Sequence, residues 1–147
     1  MTPSPKALAL VLAMGLLALI AGSAAGAAPR CTSADAALHE AGTWAALHRW
    51  FARYSECEEG DLPARVSAVV TTSLAKDWRD LERLERRVDR DPDFEEFVLR
   101  HIDATADRAH LEAIAENATQ RCPARSSDLC IEVLKRALEA LNKPARP

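Results

Sequence analysis

From Val66 onward the apolar residues Val69, Val70, Leu74, Trp78, Leu81, Leu84 and Val88 recur every three or four positions. That spacing lays one stripe of side chains along an α-helix, whereas a half-buried strand needs strict alternation. The run predicts one long helix, or two joined near Lys76-Asp77, where Asp77 recaps. Asp61 and Pro63 lie where an N-cap and a first-turn proline start such a helix.

The same logic covers the chain on either side. Ser33 or Thr32 caps a short helix carrying Ala36, Ala37, Leu38 and Ala41. Gly42 ends it, and Thr43 caps a second helix bearing Trp44, Leu47, Phe51 and Tyr54, with Trp50 beside that stripe. Asp91-Pro92 opens a helix with Phe94, Phe97, Val98 and Ile102 on one face. Thr105 caps the next, with Asp107 helping, and Pro123 ends it. Ser127 and Asp128 start the last helix, whose stripe is Cys130, Leu134, Ala137, Leu138 and Leu141. Asn142, Lys143 and Pro144 close it, and the tail beyond is expected to fray. No alternating strand pattern or hairpin turn signal occurs. The expected fold is all-α, a compact bundle of five to seven short helices with short loops.

The first 27 residues read as an address. Lys6 supplies the positive charge, Ala7–Ile20 is apolar, and Ala25-Gly26-Ala27 fits a signal-peptidase site. The leucine-rich part is short for a bilayer span, which needs about 20 apolar residues. A lipid anchor on Cys31 is disfavoured by Pro29-Arg30 before it. Cleavage after Ala27 leaves one helical domain over residues 28–147 and removes only Lys6 among charged residues, taking the net charge from −3 to −4. Acidic and basic residues alternate along the chain, which disfavours nucleic acid and a membrane surface as partners. The expected location is periplasmic or extracellular.

The four cysteines, at 31, 57, 122 and 130, are even in number in an exported chain, which implies two disulfides. Cys122 and Cys130 flank a short connection and can meet easily, leaving Cys31 with Cys57. An unbroken helix over Ser33–Tyr54 would hold its ends about 30 Å apart, and a disulfide needs Cα atoms within about 7 Å. The 31–57 bridge therefore requires a break, which Gly42-Thr43 is placed to supply. The cysteine spacing lacks any C-x2-C pair, so a zinc site is not expected.

Two segments carry candidate chemistry. Glu56-Cys57-Glu58-Glu59-Gly60-Asp61 places four carboxylates around a disulfide-pinned turn. It lacks the ligand pattern of a calcium loop and reads either as a helix start or as a docking site for a basic partner. His101-Ile102-Asp103-Ala104-Thr105-Ala106-Asp107, flanked by Arg100 and Arg108, invites an acid–base reading. No nucleophile elbow or free cysteine accompanies it, so a structural corner is the simpler reading. His39, His48 and His110 are scattered without metal-ligand spacing. Neither a metal, a cofactor nor a catalytic set is expected. Trp50, which fits its stripe least well, is the candidate exposed anchor. Glu82-Arg83, Glu85-Arg86-Arg87 and Asp89-Arg90 read as a solvated helix face of mixed charge, and Asn117-Ala118-Thr119 as a chance glycosylation match.

With the acidic turn, Phe97-Val98-Leu99-Arg100-His101-Ile102-Asp103-Ala104-Thr105 and the Cys122-Pro123 to Cys130 segment, the chain resembles uncharacterised small exported helical proteins of Gram-negative bacteria. Its plan of signal peptide, small helical domain and disulfides is similar to periplasmic immunity proteins that neutralise cell-wall-degrading effectors of type VI secretion. That resemblance implies a non-enzymatic binding or inhibitory protein, with a toxin or envelope enzyme as partner. The expected contact residues are Glu58, Glu59, Asp61 and Trp50. The alternative is an envelope structural or adaptor protein, a homodimer built on an apolar helix face.

Overall fold

The structure, a computed structural model, describes residues 31–144. The expected signal segment and the last residues of the tail lie outside them. Seven α-helices and two short 3-10 turns follow one another among the described residues, without a strand. The helices are α1 (Ala34–His39), α2 (Trp44–Tyr54), α3 (Leu62–Lys76), α4 (Leu81–Val88), α5 (Pro92–Arg100), α6 (Arg108–Gln120) and α7 (Ser127–Asn142). The expected all-α bundle with two disulfides is the fold observed.

Helix boundaries follow the local chemistry closely. Thr43 adopts an extended backbone and its hydroxyl accepts from Ala46 N at 3.2 Å; Asp91 accepts from Phe94 N at 3.1 Å, with Pro92 opening α5. The long periodic run is two helices, parted by a 3-10 turn over Trp78–Asp80. Several caps differ from expectation: Ser33 and Asp77 stand at element starts without a side-chain cap bond. Asp107, not Thr105, caps α6, accepting from Ala109 N at 2.7 Å; Thr105 is held instead by Asp103, whose carboxylate binds both its N–H and its hydroxyl. Asp61 stands at the start of α3 but makes no side-chain cap, because its backbone is already helical and not extended as a capping residue requires.

The core is continuous, with Phe94, Phe97, Leu47, Leu74, Leu81, Leu84 and Ile114 wholly enclosed. Helix α6 packs on α7 and α3, α5 on α4 and α7, and α2 on α1, α4 and α5. Burial of each such side chain contributes about 2 kcal/mol. Polar side chains then lock the joints. Asn117 donates to the carbonyls of Leu74 and Ala75 at the end of α3, satisfying groups that the helix itself leaves open. The Trp78 indole donates to Arg121 O at 2.9 Å, and Ser126 to Glu85 at 2.6 Å.

Both disulfides join the expected partners, with Cα separations of 5.2 Å for Cys31–Cys57 and 6.1 Å for Cys122–Cys130. The break at Gly42-Thr43 that the first one requires lies between α1 and α2. The chain thus folds back and brings Cys31 against the turn after α2. Gly60, at φ 59°, makes the reversal into α3 in a conformation that glycine alone adopts without strain.

Candidate functional site

The acidic turn and the His-Asp segment, separated by about forty positions in the chain, meet in space. Cys57 is pinned by its disulfide, and Glu58 next to it turns toward the end of α5. Arg100 Nη2 donates to both Glu58 carboxylate oxygens at 2.9 Å, and His101 Nε2 lies 3.3 Å from the same group. On its other side, His101 Nδ1 lies 3.0 Å from Ser67 Oγ on α3. Ser67 donates to Asp103 Oδ2 at 2.9 Å and is also 3.1 Å from Pro63 O. A polar chain Glu58–His101–Ser67–Asp103 therefore ties the acidic turn, α3 and the corner after α5 together. The Phe97 ring packs edge-on to His101, with centroids 4.8 Å apart.

This chain of groups has a proton conflict. With its N–H on Nε2, neutral His101 donates to Glu58, but the single Ser67 proton cannot then serve both Nδ1 and Asp103. With its N–H on Nδ1, the ring donates to Ser67, and Nε2 faces the Glu58 carboxylate as an acceptor against an acceptor. Only the imidazolium serves Glu58, Ser67 and Asp103 together. Burial opposes it: His101 is 3 % exposed, and the loss of water pushes its pKa below the ordinary 6.5, a larger effect than the upward pull of Glu58. Arg100 pushes in the same direction as burial, and Asp103 against it.

The composition of this row matches a nucleophile, a base and a carboxylate, but its access does not. Ser67 has no exposed surface, and its hydroxyl is committed to groups of the fold. In this conformation no substrate atom reaches it, and attack requires contact. The arrangement anchors the acidic turn, α3 and the corner after α5 to one another.

The expected contact residues divide accordingly. Glu59 and Asp61 are exposed, as is Glu56, and none of the three takes part in the network. Glu58 does not project as a docking group; its side chain is 13 % exposed and is used internally, because a buried imidazole and an arginine flank it. Trp50 is not an exposed anchor. It is 3 % exposed, and its indole donates to Ala34 O at 2.8 Å. The stripe of α2 runs through Trp44, Leu47, Trp50 and Tyr54, and Phe51 flanks it half-buried. Both Trp50 and Phe51 lie within one turn of Leu47, so spacing left the choice between them open.

Ser67 escaped the sequence reading. A signal for it exists, since Ser67, Thr71 and Leu74 step by four and three beside the valine stripe. Both Ser67 and Thr71 are fully buried, and buried hydroxyls require partners. His48 also has a role that spacing did not suggest: its Nε2 lies 2.7 Å from Asp91 Oδ2, so it braces the cap of α5 from α2. That hydrogen bond holds the Asp91 carboxyl below its ordinary value.

Among the described residues, no group of three or more His, Cys, Asp or Glu side chains is arranged to hold a metal ion. All four cysteines are in disulfides. No described helix is long and apolar enough to cross a membrane. Comparison with protein-family models, with curated proteins and with solved structures finds no match.

Proposed function

We propose that the protein is a periplasmic binding or inhibitory protein that docks the acidic turn before α3 onto a basic surface of a toxin or envelope enzyme. An immunity protein against a secreted wall-degrading effector is the specific form of this reading. The observation that carries it is the division of labour within the turn. Cys57 and Glu58 are tied to the body, while Glu56, Glu59 and Asp61 stand exposed beside them. Carboxylates on a pre-ordered turn lose little conformational entropy on binding and steer a basic partner toward the site.

The test is a pull-down from periplasmic extract with the disulfide-bonded protein, repeated with Glu59→Lys/Asp61→Lys. The expected result is one stoichiometric partner that the variant fails to retain. A partner held equally by the variant places the contact elsewhere and removes this site.

A second reading, an envelope structural or adaptor protein that pairs through an apolar helix face, is favoured by α7. Ile131 and Leu138, two turns apart, are 60 % and 46 % exposed. It predicts a dimer on size exclusion that Ile131→Glu/Leu138→Glu converts to a monomer.

A further inference from the structure

We propose that the groove between α4 and the start of α2 binds a phosphate-bearing ligand carrying at least two phosphoryl groups, pyrophosphate being the simplest of its class. The groove has a volume of about 380 Å³ and is lined by Arg83, Arg86, Arg87 and Arg90 from α4 and the turn after it, by Thr43, Trp44 and Ala45 from the start of α2, and by one carboxylate, Asp80.

The arginines are at positions i, i+3, i+4 and i+7, so they form one face of α4 and its C-terminal turn. The glutamates interleaved with them in the sequence do not line the groove; Glu85 is turned away to Ser126. Asp80 meets Arg83 at 3.5 Å, while the guanidinium groups of Arg86, Arg87 and Arg90 have no ion-pair partner among the described residues. Four arginines therefore face a single carboxylate in this groove, and that carboxylate meets only Arg83. Arg86 and Arg90 are exposed and Arg87 partly so, which leaves their donors accessible.

The opposite wall supplies donors of a different kind. The first ladder bond of α2 is Leu47 N to Thr43 O, and Ala46 N is taken by the Thr43 hydroxyl. Trp44 and Ala45, whose N–H groups precede these bonds and have no partner within the helix, line the groove. The frame is rigid, because Trp44, Leu84 and Val88 beneath it are buried in the core.

The number of donors selects the ligand. A carboxylate has two oxygens and is saturated by one or two guanidinium forks. Four arginines lining one small groove, one of them already engaged by Asp80, call for more acceptor oxygens in the same volume. Linked phosphoryl groups supply them at higher charge, and arginine forks match phosphate geometry. The source of those groups is either a free ligand or the headgroup of a lipid.

The test is a calorimetric titration of the disulfide-bonded protein with pyrophosphate, against sodium sulfate at matched ionic strength and an oligoglutamate peptide. Pyrophosphate is expected to bind with one site per chain. Arg86→Gln/Arg90→Gln is expected to weaken it at least about ten-fold, the loss of charge-assisted hydrogen bonds. Arg108→Gln, on α6, is expected to leave it unchanged, and the amide resonances of Trp44 and Ala45 are expected to shift on binding. Retention on vesicles containing cardiolipin, whose headgroup carries two phosphates, with release by pyrophosphate would assign the phosphates to a lipid, and no retention to a free ligand; both agree with the proposal. Pyrophosphate binding no better than sulfate, tighter binding of the peptide, or equal losses in the α4 and α6 variants would overturn it.

Discussion

In the turn before α3, four carboxylates fall within six residues, and the one with the most partners, Glu58, faces inward to Arg100 and His101. On α4 and its C-terminal turn, four arginines are interspersed with Glu85 and Asp89 in the sequence, yet they gather on one groove, and three of them have no ion-pair partner among the described residues. The acidic turn has the composition of a uniform charged patch and is partly structural. Helix α4 has the composition of a mixed, self-neutralising face, and its charge is segregated. The difference comes from geometry. Sequence neighbours on a helix diverge by about 100°, so alternation along the chain is compatible with separation around the axis. In a turn, the direction of each side chain depends on what the tertiary fold brings alongside.

If the two regions are independent, changes that loosen the acidic turn will leave the groove intact. The largest expected effect is that of Cys31→Ser/Cys57→Ser. Opening a bridge that spans 26 positions costs about 3.5 kcal/mol on the chain-entropy argument, read as a fall in the urea midpoint. Cys122→Ser/Cys130→Ser, which spans 8, is expected to cost about 2.5 kcal/mol. Pyrophosphate affinity surviving the first change would sharpen the contrast; its loss would show that one staple supports both regions.

Glu58→Ala comes next, at about 2 kcal/mol, since it removes the carboxylate that Arg100 shares with the buried imidazole and leaves His101 Nε2 without its partner. Glu58→Gln, which keeps an acceptor, should lose less. Equal losses from the two variants would mean that charge, and not hydrogen bonding, holds the corner.

Acidification acts on the same corner. The folded-state pKa of His101 lies below 6.5, so under that pH the unfolded chain takes up a proton that the folded one does not. Stability is therefore full above about pH 6.5 and declines as the pH falls toward the folded-state value. Asp91, held below 3.8 by its bond to His48, adds a further loss at lower pH. In thermal melts, His101→Gln should flatten the decline that begins near pH 6.5 and leave the acidic limb in place. A variant with the parent's slope would remove His101 as its source.

The smallest effects belong to the exposed charges. Arg86→Gln/Arg90→Gln and Glu59→Lys/Asp61→Lys are each expected to shift stability by no more than about 0.5 kcal/mol. The arginine variant should err toward stabilisation, since it relieves like-charge repulsion. A loss of a kilocalorie or more in the arginine variant would show that the groove is part of the scaffold.

Much of this molecule was legible before folding. The stripes of α3, α4 and α5, the caps at Thr43 and Asp91 and the bridge pairing follow from spacing, cap chemistry and reach, which are local or one-dimensional constraints. What spacing leaves open is rotation about a helix axis when two residues suit the same face, as with Trp50 and Phe51. It also leaves open the partners of polar groups distant in the chain: Glu58 with Arg100, Ser67 with His101, Asn117 with the end of α3. Those pairings form because burial strips water from at least one member of each, Glu58, His101, Ser67 and Asn117 among them, and the nearest available partner replaces it. Which partner is nearest is decided by the packing of the helices, and that depends on the whole chain at once.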